Sequence, residues 1–497
     1  MKKLIYIFIF SIIISKVFAG DTLRWTFELI NHGARTPHKG LDSNSKDFMN
    51  HEWIGENELT GVGLRQSFLI GYRDRLRYID QYNLISEEYD PRDILIYATE
   101  NNRTLTSASA LLHGLFLPGT GPQIDPDLVD RAVPPVNPDS YINEKNELDN
   151  DNYTALPGRM NLVPVHIFFD HEYVTQYETS KKCIGLKDYE KKNQERNDVK
   201  QFLKNMTEKY GDNLVNNIFK NKKNNLLEDY EFAYNFFDTI ICLYFDGADE
   251  FDTILNILNV KEEDLLNDCY KFLTLNTVGN GIDNDKDFIN YLVSPIFQKI
   301  IGYMNYRIEK DLKGEINYKG YDLPKYFILS GVSNTCGAFM SFMNKYFGTK
   351  IKYANFSTNI HLELFQENNN ETNISEKNYR LEYYYNDEFL LSIPYTEFKN
   401  KIIPNLISKE VINKFCKEEK KDDDRDNDDD TNWFLIGLLI ATGVVIILIV
   451  IIIIILIKRA KNNDNNNTEV EDKAKLLRDT NRSSTDQNNQ NNNEKSE

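Results

Sequence analysis

The residues best placed to do chemistry lie in one short stretch, Leu23 to Pro37, which reads LRWTFELINHGARTP. His32 offers an imidazole that can attack an electrophile or move a proton, and Arg35 offers a guanidinium that can hold an anion. Leu23 to Ile30 is apolar and aromatic with two charges, the composition of a largely buried strand. Asn31 to Pro37 is small, polar or ring-constrained, so the strand should open into a tight loop at its carboxyl end. Ligands of open α/β sheets bind just outside such strand ends.

The loop resembles the signature of the histidine acid phosphatases, Arg-His-Gly-x-Arg-x-Pro, in which the His attacks phosphorus and both Arg side chains hold the phosphate. Here it reads Asn31-His32-Gly33-Ala34-Arg35-Thr36-Pro37. The resemblance makes His32 the nucleophile position and Arg35 a phosphate ligand, with Asn31 in place of the first Arg. An amide donates neutral hydrogen bonds and brings no charge. Arg35 without its partners could equally be a structural salt bridge, and His32 a loop histidine with no chemical role.

Two further site motifs resemble the family's and depart from it. Against Arg-Ser-Thr-Asp-x-x-Arg-Thr the chain reads Tyr97-Ala98-Thr99-Glu100-Asn101-Asn102-Arg103-Thr104, so Tyr97 replaces the ligand-facing Arg and Arg103 matches a supporting one. Against Ser-x-His-Asp-Thr-Thr it reads Ser330-Gly331-Val332-Ser333-Asn334-Thr335. Val332 and Ser333 therefore stand where the family has its second His and its proton donor. His361-Leu362-Glu363 looks like a His-acid pair, but it falls on a later strand and reads as a surface pair. The changed positions are those that bind charge or donate the proton, and losing a general acid alone costs roughly 10²–10⁴-fold.

The elements that must position these residues can be read in order. Leu59 to Tyr78 is a helix capped by Thr60, with Leu64, Phe68, Leu69 and Tyr72 on one apolar face. Asp93 to Ala98 is a strand and Arg103 to Phe116 a helix, separated by a polar loop at the strand's end. Leu117 to Pro138 holds six of the fourteen prolines and is a connection. Val163-Pro164-Val165-His166 resembles a short family strand, and residues 183–310 read as an all-helical insertion like the family's smaller lobe. Tyr326 to Gly331 is a strand followed by a polar loop, Val332 to Cys336. His361–Phe365, Tyr379–Tyr385 and Phe389–Ile393 form a strand meander. The resemblance, over about residues 22–416, implies an α/β fold, a doubly wound core sheet with an inserted all-helical cap subdomain.

The two ends set the compartment. Residues 1–19 carry Lys2, Lys3, an apolar run from Leu4 to Ile14 and the small-residue pattern Val17-Phe18-Ala19, a secretory signal peptide. Residues 433–457 are 25 in number, without a charge, and long enough for a transmembrane helix. An acidic stalk, 417–432, precedes them, and Lys458, Arg459 and Lys461 follow, so the expected product is a single-pass type I membrane protein. The tail, 458–497, is polar and should be disordered, and its Asp472 to Leu477 fits an acidic dileucine sorting signal. The domain, 20–416, would then lie outside the cell or in an endosomal or lysosomal lumen.

A net charge of −18 argues against nucleic acid as a partner. Six Asn-x-Ser/Thr sequons from Asn102 to Asn373 suit a glycoprotein. No Cys-x-x-Cys pair suggests a metal, and no cofactor is expected. In this compartment five cysteines suggest two disulfides and one leftover. The resemblance pairs Cys183 with Cys416; Cys269 is a possible substitute partner for Cys242, which leaves Cys336 odd. The expected function is a membrane-anchored, catalytically impaired histidine acid phosphatase-like protein that takes a phosphorylated small molecule or another ligand in its cleft. The alternatives are an active phosphatase working through phospho-His32 and a structural surface glycoprotein.

Overall fold

The structure is a computed structural model and describes residues 21–41, 51–135, 142–167, 183, 185, 191–220, 222–276, 288–350, 354–368 and 375–416. The expected signal peptide, stalk, membrane span and tail lie outside these residues. Among the described residues no helix is long and apolar enough to cross a membrane.

Strand β1, Thr22–Asn31, is the middle of a mixed sheet. The other strands are β2 (Ile94–Ala98), β3 (His166–Ile167), β4 (Tyr326–Gly331), β5 (Asn359–Gln366), β6 (Tyr379–Tyr385) and β7 (Glu388–Pro394). Their order is β3-β2-β4-β1-β5-β6-β7. Strands β3, β2, β4 and β1 run parallel, while β5, β6 and β7 form the expected antiparallel meander. Asn31 pairs with Gly331 and Ala98 with Ser330, so the carboxyl ends of β1, β4 and β2 finish at one edge.

Both faces of β1 are buried, which is why it reads as a nearly continuous apolar run. Trp25, Phe27 and Leu29 pack on one face against helices α7 (Phe288–Leu312) and α8 (Ser333–Phe347). Ile30 packs on the other, with Ile94, Leu111 and Leu115, against α1 (Gly61–Asp74) and α2 (Asn102–Leu115). The polar loop expected over Val332 to Cys336 is instead the start of α8: Val332 is its N-cap and Ser333 its first residue.

Helix α1 buries a different face from the one its apolar residues suggest. Thr60 caps it as expected, accepting from the Gly63 amide. The buried side is Gly63, Ser67, Gly71 and Asp74, whereas Leu64, Leu69 and Tyr72 are 41%, 55% and 40% exposed. Close backbone approach is the cause. A Cβ on Gly71 would stand 1.8 Å from the Leu111 carbonyl oxygen, and one on Gly114 would stand 2.0 Å from that of Phe68. Only small side chains fit that contact. After Asp74 the helix widens into a π-helical segment, Arg75–Gln81.

Helices α3 (Asn197–Asn217), α4 (Tyr230–Asp246), α5 (Asp249–Leu258) and α6 (Glu262–Asn276) share a separate core around Phe202, Phe236, Phe237, Ile240 and Phe272. The insertion read from sequence as 183–310 divides here. Helix α7 leaves this cluster and packs on the sheet, with Phe297 stacked on Phe339 at 4.7 Å. Cys183 and Cys416 form a disulfide across 233 positions, as the resemblance implied, and Cys242, Cys269 and Cys336 are free thiols, all buried.

Candidate active site

The loop after β1 is held by its own backbone. His32 N–H donates to the Gly331 carbonyl at 3.2 Å, Gly33 N–H to the Ser107 hydroxyl at 3.1 Å and Ala34 N–H to Gln66 Oε1 at 2.9 Å. The His32 carbonyl accepts from Ser357 N–H at 2.9 Å. Gly33 is required by space, because a Cβ there would meet the Gly63 carbonyl oxygen at 2.3 Å. Four separate segments thus fix the position of one imidazole.

One nitrogen of that imidazole is fixed by the backbone. His32 Nδ1 lies 2.9 Å from the Gly33 carbonyl oxygen, which can only accept, so Nδ1 carries the proton and Nε2 keeps its lone pair. The residue is buried, and burial followed by the Arg103 and Arg35 guanidiniums holds its pKa well below the usual value. It is therefore neutral in mildly acidic solution. The Phe356 ring flanks it at 5.7 Å.

Arg35 reaches the site, but its charge is already engaged. Its two terminal nitrogens donate to the two carboxylate oxygens of Asp238 at 2.8 and 3.0 Å. Asp238 also accepts from the His38 amide at 2.8 Å. Both side chains are buried. Burial pushes the Asp238 carboxyl up, yet Arg35 and the hydrogen bonds outweigh it and the net shift is downward, so the group stays ionised. The Cys242 sulfur lies 3.7 Å from the same guanidinium, and the Arg35 Cζ lies 5.6 Å from the Phe356 ring.

One face of α4 supplies these neighbours. Tyr234, Asp238, Cys242 and Phe245 recur at helical spacing. Phe245 packs on Phe356 at 5.2 Å, and burial pushes the Tyr234 hydroxyl up to about 12. Tyr234 and Asp238 belong to the site and were not singled out from sequence, and Arg103, read there as a supporting residue, also acts on His32. Their signals are weak there: Asp238 is one acid in an aromatic helix, and Arg103 matched only a supporting position.

The four substituted positions each have surroundings of their own. Asn31 is buried, and its amide nitrogen donates to the carbonyls of Asn355 at 2.8 Å and Ala354 at 3.3 Å. Both amide hydrogens thus lie on backbone carbonyls, while the Asn31 Oδ1 has no partner. Tyr97 packs with His166 at 5.7 Å and Phe327 at 6.1 Å, and Lys299 Nζ lies 4.2 Å from its ring centre. Val332 is buried and apolar, and Ser333 is half-buried at the first turn of α8.

His361 and Glu363, expected at the surface, are buried at 2% and 0% exposure. They sit on β5 beside β1, on the face covered by α1. Arg73 of α1 and Arg77 and Tyr78 of its π-helical continuation offer the polar side chains that partner them. They are not part of the His32 site.

Chemically, the site holds a neutral histidine with one free nitrogen, an arginine neutralised by its own carboxylate, and aromatic walls. A second guanidinium, that of the buried Arg103, acts on His32 from α2.

The family model described as histidine phosphatase superfamily (branch 2) matches residues 22–316, more than half of the chain. The lysosomal acid phosphatase of Xenopus laevis is 33% identical over 116 residues, 22% of this chain and 25% of that protein. The lysophosphatidic acid phosphatase type 6 of Mus musculus is 31% identical over 84 residues, 17% of this chain and 20% of that protein. The matched stretches thus span between a fifth and a quarter of these relatives' length. Among solved structures, Hafnia alvei phytase in complex with tartrate is 12% identical, with a TM-score of 0.48, covering 79% of this chain and 98% of that one.

Proposed function

The chain belongs to the histidine phosphatase superfamily (branch 2), and from that premise we propose that it is a membrane-anchored acid phosphatase-like protein whose catalytic cradle is disabled. The observation that carries this is the Arg35–Asp238 pair. The phosphate-holding arginine that survives in the signature loop gives both terminal nitrogens to an internal carboxylate. Asn31 spends its donors on backbone carbonyls, and Tyr97, Val332 and Ser333 bring no cation or strong acid.

Phosphoryl transfer through His32 would need the leaving alkoxide protonated and the equatorial oxygens neutralised. The imidazole could attack, but the Arg35 charge is already shared with Asp238. Binding of a phosphorylated or other ligand in the cleft, without turnover, is the role that fits. The lysosomal names of the relatives, the signal peptide and the apolar segment 433–457 support a lumenal or extracellular domain on a type I anchor.

A second reading, an active acid phosphatase, is favoured by one observation: Nε2 of His32 is unprotonated and oriented by Gly33. Hydrolysis of an aryl phosphate at pH 5 by the purified full-length protein, beside His32→Ala, decides between them. The expected result is the same negligible rate for both. Robust hydrolysis abolished by His32→Ala would establish the second reading.

A further inference from the structure

Beneath the sheet, on the face away from α7 and α8, lies a closed cluster of ionisable groups that the His32 site does not use. β1 contributes Glu28 and β4 contributes Tyr326. α1 and its π-helical continuation contribute Arg73, Asp74, Arg77 and Tyr78; β5 contributes His361 and Glu363. Asp387, in the exposed turn between β6 and β7, and Tyr384, whose ring faces Arg77 at 4.8 Å, complete the surroundings.

Most of these charges pair off. Arg77 donates to both oxygens of Glu363 at 2.5 and 2.6 Å. Arg73 donates to Asp74 at 2.7 Å, to Asp387, and to His361 Nε2 at 2.5 Å. With Nε2 accepting, His361 Nδ1 donates to the Tyr78 oxygen at 2.8 Å, and Tyr78 in turn donates to Glu363 at 2.8 Å. His361 is thereby neutral. One carboxyl remains uncompensated. Glu28 is fully buried; its Oε2 accepts from the Tyr326 hydroxyl, and its Oε1 has no partner. Asp74, equally buried, has an unpartnered Oδ2.

A divalent metal does not fit this gap, although Glu28, Asp74 and His361 each present an atom within 4.8 Å of the others. The Arg73 guanidinium already occupies the cation's place, 3.9 Å from Glu28 Oε1 and hydrogen-bonded to the other two groups. A proton does fit: the two carboxyls approach each other with one oxygen apiece left without a partner, and one hydrogen between them removes the surplus charge.

We propose that Glu28 and Asp74 hold one shared proton at the β1–α1 contact, and that this proton makes the fold more stable in acid than at neutral pH. Burial, then the neighbouring Asp74 charge, raises the Glu28 pKa well above its usual value, and burial raises that of Asp74. A carboxyl raised in the fold contributes its stability fully below its unfolded value of 4.5 and loses it as pH climbs through the folded value. His361 works the other way: burial, followed by Arg73 and Arg77, lowers its pKa well below 6.5, so acid favours the unfolded chain there. His361 Nε2 lies 3.6 Å from Glu28 Oε1, so the unfolding midpoints are read together with the infrared band, which reports the carboxyl itself.

The experiment is urea unfolding of the full-length protein, wild type and Glu28→Gln, at pH 5 and pH 8. The expected result is a midpoint that falls further on going to pH 8 in the wild type than in the variant. An infrared band of a protonated carboxylic acid at pH 6.5, absent from Glu28→Gln, is expected alongside it. Equal pH dependence in the two proteins would overturn the proposal. So would midpoints raised by Mn²⁺ or Zn²⁺ and lowered by chelation in the wild type alone, the signature of a metal site. Should Glu28→Gln fail to fold, Asp74→Asn takes its place. If neither variant folds, the wild-type spectrum decides, since a protein without the acid band at pH 6.5 holds no such proton.

Discussion

Arg35 and Asp238 stand 203 positions apart and meet as a buried pair joined by two parallel hydrogen bonds of 2.8 and 3.0 Å. One belongs to the loop after β1 and the other to α4 of the helical cluster, so the contact ties the two cores together at the site. Two ions in this setting gain from each other mainly what they lost on leaving water, so the pair is costly to break and weak evidence of net stability.

Breaking it from one side should leave the other charge buried and unpaired. Arg35→Ala and Asp238→Ala are each expected to destabilise the protein by roughly 3–5 kcal/mol. Arg35→Met with Asp238→Leu should recover most of that loss. Urea unfolding of the wild type and the three variants checks this, and a double variant no more stable than either single one would show that the two side chains do not act as a unit.

Restoring catalysis should require freeing Arg35 as well as rebuilding the cradle. Asn31→Arg, Tyr97→Arg, Val332→His and Ser333→Asp together are expected to gain little aryl phosphate hydrolysis while Asp238 holds Arg35. Adding Asp238→Asn should raise the rate on the order of 10²-fold, the size of one electrostatic donor. A fourfold variant as fast as the fivefold one would sink the idea that Asp238 blocks the anion seat.

His32 should remain uncharged in mild acid. The unfolded chain protonates this residue below about 6.5, whereas the folded site resists it. Its contribution to stability is therefore present above that pH and declines as pH falls. Nitrogen chemical shifts of labelled histidine at pH 5.5 should show one unprotonated and one protonated ring nitrogen for His32. A doubly protonated ring there would contradict the geometry.

The α1–α2 contact should not tolerate a methyl group. Gly71→Ala places a Cβ 1.8 Å from a backbone oxygen, and overpacking of this kind costs about 1–3 kcal/mol or more. Gly302 on α7 has open space around its missing Cβ, so Gly302→Ala should be stabilising by about 0.5–1 kcal/mol. Thermal unfolding of the two variants gives opposite signs if the close approach is real.

The cysteines make a chemical test of the fold. Mapping under non-reducing conditions should find Cys183 joined to Cys416, and Cys242, Cys269 and Cys336 should resist alkylation until the protein is unfolded. Burial raises all three thiols, which removes the reactive thiolate as well as access. Rapid labelling of Cys242 in the native protein would mean that α4 does not close over Arg35.

What the sequence determined by itself is local. The apolar run ending in Asn31-His32-Gly33 specified a buried strand with its loop at the carboxyl end, because a continuous apolar run and turn chemistry are carried by neighbouring residues. The replaced residues at 31, 97, 332 and 333 were equally legible, as was the meander of β5 to β7. Only the tertiary structure decided which helix faces turn inward. It buried the glycine side of α1 and left Leu69 exposed, since backbone approach at Leu111 outranks the size of an apolar stripe. It took His361 from an expected surface strand into a charge network, and detached α7 from the helical cluster. It also brought Asp238 onto Arg35, and no periodicity records that pairing, because it depends on how two separately packed cores close on each other.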